Sequence, residues 1–386
     1  MKRLLSIVAL VVVALFVSCS NNSVVRDTEP IYTPRYAKGF AIERDKTSGE
    51  LLLCVKNPWQ GAENVAFYTK IDTVAPPKRI IAMSSSHSAM LEAVECGDRV
   101  VGLSGCCFIS SPAMIKAIEE GEIFDVGYDS SLDFERIVSL KADVVLLYGV
   151  AGEAKTMTNK FDELGIPYIY IGDYLEDSPL GKAEWVVAIS YLCGVEDEGK
   201  AFFAGVEERY NTLRASVSAT SRPRVMLNLP YRDTWFMPPH NSYMVRLIED
   251  AGGEYILTEN GKRKTENEKL KTRNEDLSTL NSQLSTKSTP ISLEEALVLA
   301  SRSDYWLNLG QVNSLEELKA AAPRFMDIKS VRAYRIYNNT KRTNSGGGSD
   351  FWESGAVRPD LILKDLVQIL HHDAPTEELY YYRKLE

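Results

Sequence analysis

No Gly-x-Ser-x-Gly elbow, phosphate-binding glycine loop or His-Glu-x-x-His helix occurs in the 386 residues. That removes the motif-level grounds for a serine hydrolase, a nucleotide-binding enzyme or a zinc protease. Histidine is scarce, with His87, His240, His371 and His372 the full set. A receptor for a bare divalent ion needs several soft ligands converging, so no metal site is expected. His371 and His372 end a helical pattern, where histidines complement the helix dipole. There is no Cys-x-x-Cys, and the five cysteines beyond Cys19 cannot all pair within one chain. Cys54 and Cys193 sit in apolar runs and read as core thiols, while a bridge from Cys96 to Cys106 or Cys107 stays open. Positive charge is also short: 44 Lys and Arg against 53 Asp and Glu leave a net charge of −9. Such a balance argues against nucleic acid and against docking on anionic lipid. Past the N-terminus no long apolar run follows, so the body carries no expected membrane-spanning helix.

What is present starts at the N-terminus. Lys2 and Arg3 precede a stretch, Leu4 to Val17, that is apolar apart from Ser6. It is too short for a comfortable span and reads as a signal peptide over 1–18. The following Ser18-Cys19 resembles a lipoprotein cleavage site, which makes Cys19 the lipidated residue. Several acyl chains would hold the product firmly on a membrane. Polar residues 19–35 read as a tether.

The body is long for a single core. Alternating short apolar runs broken at Thr47-Ser48-Gly49 and Asn57-Pro58 predict a small β-meander over 36–75. Residues 76–178 then alternate strand and helix, as do 221–386, which predicts an α/β fold of two Rossmann-like lobes with mostly parallel sheets. Between them, 179–220 holds helical spacing throughout (Phe202, Phe203, Val206, Tyr210, Leu213, Val217) and predicts one long backbone helix joining the lobes. Residues 259–289 are almost wholly polar and predict a solvated, partly helical insertion.

Two stretches share a design. In 133–146 and 292–307 a capping residue (Asp133, Ser292) opens a short helix with a glutamate in its first turn (Glu135, Glu294), and an aspartate (Asp143, Asp304) leads into an apolar strand. The repeat suggests two similar lobes, each showing one carboxylate. Open α/β sheets bind ligands beyond their strand ends, and aromatic or cationic residues cluster in such positions. The candidates are His87, Tyr128 and Tyr148 in lobe one, and Tyr231, Trp235, Trp306, Arg342, Trp352 and Arg358 in lobe two. Such a lining suits a large ring-bearing ligand, with arginines for its anionic groups.

Several phrases resemble the metal-chelate receptors of ABC importers, the periplasmic binding proteins for ferric siderophores, haem and vitamin B12. In lobe one these are Arg79 to Ser86, Gly97-Asp98-Arg99-Val100-Val101-Gly102 and Leu132 to Asp143. In lobe two, Thr234 to Pro238, Asn241-Ser242-Tyr243-Met244 and Asp350 to Gly355 resemble a Bacteroides-type lipoprotein branch, as does Asn57-Pro58-Trp59-Gln60-Gly61. The resemblance covers about 75–258 and 290–375 and implies two lobes on a rigid connector, ligand in the cleft and no catalysis. It implies a membrane-anchored periplasmic lipoprotein with no resident cofactor, whose partners are an ABC permease dimer with its ATPase and a metal-chelate cargo. It also implies that Glu135 and Glu294 dock on the permease. Ala89 and His87 depart from the family pattern, and the insertion has no counterpart in it.

Two other readings compete. One is a lipid-anchored, chelatase-like α/β enzyme acting on a metal tetrapyrrole through His87 or Cys106-Cys107. The other is a structural partner of an outer-membrane complex that uses 259–289.

Overall fold

The computed structural model describes residues 26–128, 131–149, 155–217, 222–257, 288–372 and 376–386. The signal peptide, Cys19 and nearly all of the insertion 259–289 lie outside them.

The chain opens with four antiparallel strands paired in sequence order, β1 (Thr28–Tyr32), β2 (Phe40–Asp45), β3 (Leu51–Lys56) and β4 (Ala66–Lys70). Asp45 Oδ1 accepts the Thr47 and Ser48 amides, both at 2.9 Å, and so closes the β2–β3 turn. Strand β1 corrects the predicted tether of 19–35: the fold is already under way at Thr28. The cause is a buried carboxylate far along the chain. Glu184 accepts the Tyr32 hydroxyl at 2.7 Å and the amides of Arg35, Tyr36 and Ala37 at 2.9, 2.8 and 2.8 Å.

Lobe one follows as β5 (Ile80–Ala82), α1 (Ser85–Ala93), β6 (Val100–Leu103), α2 (Pro112–Glu119), β7 (Phe124–Asp125), α3 (Phe134–Ser139), β8 (Val144–Leu147), α4 (Lys155–Leu164) and β9 (Tyr168–Tyr170). Its sheet is parallel in the order β7-β6-β5-β8-β9. The order reverses at β5, which creates a crevice at the strands' C-terminal ends.

The connector is two helices rather than one rod. Helix α5 (Pro179–Cys193) stops at Gly194, whose φ of 69° suits a glycine cap. Helix α6 (Glu196–Ser216) then turns back and packs on it. At their crossing a Cβ on Gly199 would stand 2.1 Å from Ser190 Oγ, so glycine permits the close approach. Fourteen of the fifteen residues of α5 are buried, Lys182 being the exception. The even helical periodicity across 179–219 concealed this break.

Lobe two contains β10 (Arg224–Leu227), β11 (Thr234–Met237), α7 (Tyr243–Asp250), β12 (Glu254–Tyr255), β13 (Thr289–Ser292), α8 (Leu293–Ala300), β14 (Tyr305–Leu307), α9 (Leu315–Ala321), α10 (Lys329–Arg332), β15 (Ile336–Asn338), α11 (Pro359–His371) and β16 (Arg383–Lys384). Its sheet runs β12-β10-β14-β15-β16, antiparallel only at β16. Beside it β11 and β13 form a separate antiparallel pair.

The repeated aspartates do the same work in both lobes. Asp143 Oδ2 accepts the Lys78 and Arg79 amides at 2.8 and 2.9 Å, and the Asp143 amide donates to Arg79 O at 2.8 Å. Asp304 repeats this on Arg224, both bonds measuring 2.8 Å. Each thus aligns the start of its strand with the first strand of its lobe.

Candidate ligand-binding cleft

All five strands of lobe one point their C-terminal ends at a cavity of about 400 Å³. After β5 come Met83, Ser84, Ser85 and Ser86; after β6, Ser104, Gly105, Phe108 and Ile109; after β7, β8 and β9, Tyr128, Tyr148, and Asp173 with Tyr174. Lys182 from α5 and Trp352 from lobe two complete the wall. The volume lies within the range of small-molecule sites.

Local sequence explains the placement. Ser84 caps α1 by accepting the Ser86 amide, which keeps the serine cluster at the cavity floor. Gly105 has φ 77°, and a Cβ there would meet the Phe108 ring at 2.7 Å and the Tyr128 ring at 2.9 Å. Glycine therefore lets Phe108 and Tyr128 stand together with centroids 6.0 Å apart. Trp352, 49% exposed, supplies an aromatic wall from lobe two.

A charged cluster borders the floor. Asp173 Oδ2 lies 3.2 Å from Lys182 Nζ, and Oδ1 lies 3.5 Å from His87 Nε2. Burial pushes the Asp173 carboxyl up, yet Lys182 and then His87 hold it well below the usual carboxylate range. The Lys182 ammonium also sits 5.9 Å from the Tyr243 ring centroid, where α7 of lobe two meets the connector. Among the described residues no group of three His, Cys, Asp or Glu is arranged to hold a metal ion.

Of the sequence candidates, the cavity gathers Tyr128, Tyr148 and Trp352. The others need correction. His87 is wholly buried behind the serines, with neither ring nitrogen hydrogen-bonded, and it does not line the cavity. Trp235 and Trp306 are core residues with no exposed surface, packed edge-on and tilted against Phe325 at centroid distances of 5.1 and 6.0 Å. Their indole N–H groups are used internally, on Leu227 O at 3.0 Å and Asn228 O at 2.7 Å. Arg342 is paired with Asp350 and stacks on Tyr380, while Arg358 holds Asp360 through two bonds of 2.9 Å. Tyr231 is 64% exposed on a turn outside the cavity. Cys96 meets Cys193, not Cys106 or Cys107, and all five described cysteines are free thiols.

Sequence reading missed Asp173, Lys182 and Phe108. A signal existed for Lys182, because it is the only basic residue and Glu184 the only acidic one in an otherwise largely apolar helix.

Glu135 and Glu294 are both exposed in the first turns of α3 and α8. Glu294 is not free, since Arg324 Nη1 lies 3.1 Å from its Oε1. Its own backbone amide and then Arg324 lower its pKa.

The fold has known counterparts. A family model for periplasmic binding proteins matches residues 80–343, crossing both lobes. An uncharacterized lipoprotein of Methanocaldococcus jannaschii is 28% identical over 310 residues, 78% of this chain and 66% of that protein. The chain therefore spans just under two thirds of that relative's length. A periplasmic heme binding protein from Pseudomonas aeruginosa superposes with a TM-score of 0.56 at 15% identity, covering 80% of this chain and 98% of that one. A possible iron-binding periplasmic solute-binding protein from Staphylococcus epidermidis gives 0.56 at 16% identity, with 77% and 100% covered. At such identities the two structures speak for the shared two-lobed fold. The match through both lobes and the connector makes the chain a member of the periplasmic binding protein family, a solute-binding protein rather than an enzyme.

Proposed function

We propose that this protein captures a metal chelate (a ferric siderophore, haem or cobalamin) outside the cytoplasm and delivers it to an ABC import permease, held to the membrane through lipidated Cys19. The observation that carries the reading is the aromatic cleft, with Phe108 and Tyr128 on one lobe and Trp352 on the other around a floor of serine hydroxyls. Flat conjugated or ring-bearing ligands gain most from such walls. Relatives of the same fold that are described as heme-binding and iron-binding support the cargo class. The lipoprotein description of the archaeal relative supports the anchor. If the cargo is haem, Tyr148 is the candidate phenol for its iron, and His87 is withdrawn because it is walled off.

The test is titration of the folded protein with hemin, cyanocobalamin and a ferric siderophore, read by absorption and native mass spectrometry. One of the three should bind stoichiometrically and lose affinity on Tyr128→Ala with Trp352→Ala. Binding of none, or binding indifferent to both substitutions, would remove the proposal.

A further inference from the structure

Lobe two reaches the lobe-one chain beside the cavity through a hairpin. The Asp350 amide donates to Arg342 O at 3.0 Å, the Asn344 amide to Gly348 O at 2.9 Å and the Gly348 amide to Asn344 Oδ1 at 2.9 Å. The chain turns at Gly347, φ 87°, so Arg342–Asp350 is a closed unit. Its tip lies on the lobe-one backbone that follows β6. Asn344 Nδ2 donates to Cys107 O at 3.0 Å and to Ile109 O at 2.6 Å. Just beyond the hairpin, Glu353 accepts the amides of Ser110 and Ser111 at 2.6 and 3.0 Å. The two backbones touch. A Cβ on Gly346 would stand 2.2 Å from Cys107 O, and one on Gly348 only 1.8 Å from Phe108 O. Phe108 and Trp352, on either side of this seam, both line the cavity.

We propose that Asn344–Glu353 is a latch that decides which ligands the cleft admits. Shut, it confines the cavity to a compact ligand; a bulkier one enters once Asn344 and Glu353 leave the Cys107–Ser111 backbone. This rests on the reading of the cavity as the ligand site. Each hydrogen bond across the seam joins a side chain of lobe two to backbone of lobe one. When the seam parts, those backbone groups turn to water, so opening exchanges hydrogen bonds instead of orphaning them. The bonds inside the hairpin are untouched, and the Arg342–Asp350 ion pair holds its base. Helix α5 is buried along its length, so the motion belongs to the hairpin and the connector stays fixed.

The experiment compares wild type, Asn344→Ala and Gly348→Ala as full folded protein. Without ligand, hydrogen exchange at the Ser110 and Ser111 amides should quicken about tenfold in both variants. In stopped-flow mixing, cyanocobalamin should associate faster with the variants, by a larger factor than the smaller hemin. Exchange within about twofold of wild type would overturn the latch. So would faster exchange with unchanged association of both probes. Asn344→Ala adds no atoms, and so keeps the test intact should Gly348→Ala misfold. If neither probe binds any form, the ligand reading of the cavity fails, and the exchange rates alone still judge whether the hairpin opens.

Discussion

Lys182 Nζ lies 3.2 Å from Asp173 Oδ2 at the junction of lobe one, the connector and lobe two. Asp173 is almost wholly buried, so Lys182→Met strands its charge away from water. A loss of about 3–5 kcal/mol is expected in urea denaturation at neutral pH, and the double change with Asp173→Asn should recover much of it. Because the folded carboxyl titrates below its unfolded value, its contribution is present above about pH 4 and fades as the pH falls further. Asp173→Asn should lack that acid-side component.

Glu353 moves in the opposite direction. Burial first, with the nearby Asp350 and Glu92 carboxylates, pushes it up to about 7, against the pull of the Ser110 and Ser111 amides. A folded-state value above the unfolded one of about 4.3 means stability is full below that pH and declines as the pH rises toward 7. We expect the urea midpoint of wild type to fall between about pH 5 and pH 8. Glu353→Gln should flatten that slope. A wild-type midpoint that rises over this interval would refute the assignment.

Trp235 should behave as a core residue. Replacing it with alanine empties the space between Trp306 and Phe325, at a cost of about 3–5 kcal/mol. Its effect on ligand affinity, measured at a temperature where the variant stays folded, should be negligible. A large affinity loss with unchanged stability would return it to the cleft.

Under the proposed delivery to an ABC permease, Glu135→Ala together with Glu294→Ala should abolish stimulation of the permease ATPase while binding of the proposed chelate stays intact. Paired carboxylates of this kind set encounter and register more than raw affinity. Arg324→Ala frees Glu294 of its intramolecular partner and should raise the association rate at low salt. Stimulation unaffected by the double change would eliminate the docking role.

How far the sequence carried the argument depended on the kind of signal. The alternation of strands and helices exposed both lobes, and the repeated Asp143 and Asp304 marked equivalent strand starts that the hydrogen bonds now explain. Tyr128 and Tyr148 could be placed at the cavity because each comes shortly after a strand of an open sheet, where its crevice lies, and Trp352 because it sits in an aromatic-rich loop. Trp235 and Trp306 misled for the converse reason. Each lies within a strand of three or four residues, too short for alternation to reveal which face is inward. Arg342 and Arg358 looked available because their carboxylate partners, Asp350 and Asp360, could not be assigned without the fold. The start of β1 escaped because its cause is a distant contact with Glu184, and the break at Gly194 because helical periodicity continues on both sides of the glycine cap.

Under the proposed anchor at Cys19, the two carboxylates that grip the start of the fold bear on how the body would hang. Glu184 and Glu176 together receive the amides from Arg35 to Gly39, and both belong to the connector region rather than to the outer flank of either lobe. A pull from upstream of Thr28 would then meet the edge strand β1 first and this clasp at the connector next. Trimming the chain past Ala37 would strip Glu184 of the Tyr32 hydroxyl and all three amides it accepts, and leave it bare in the middle of the molecule.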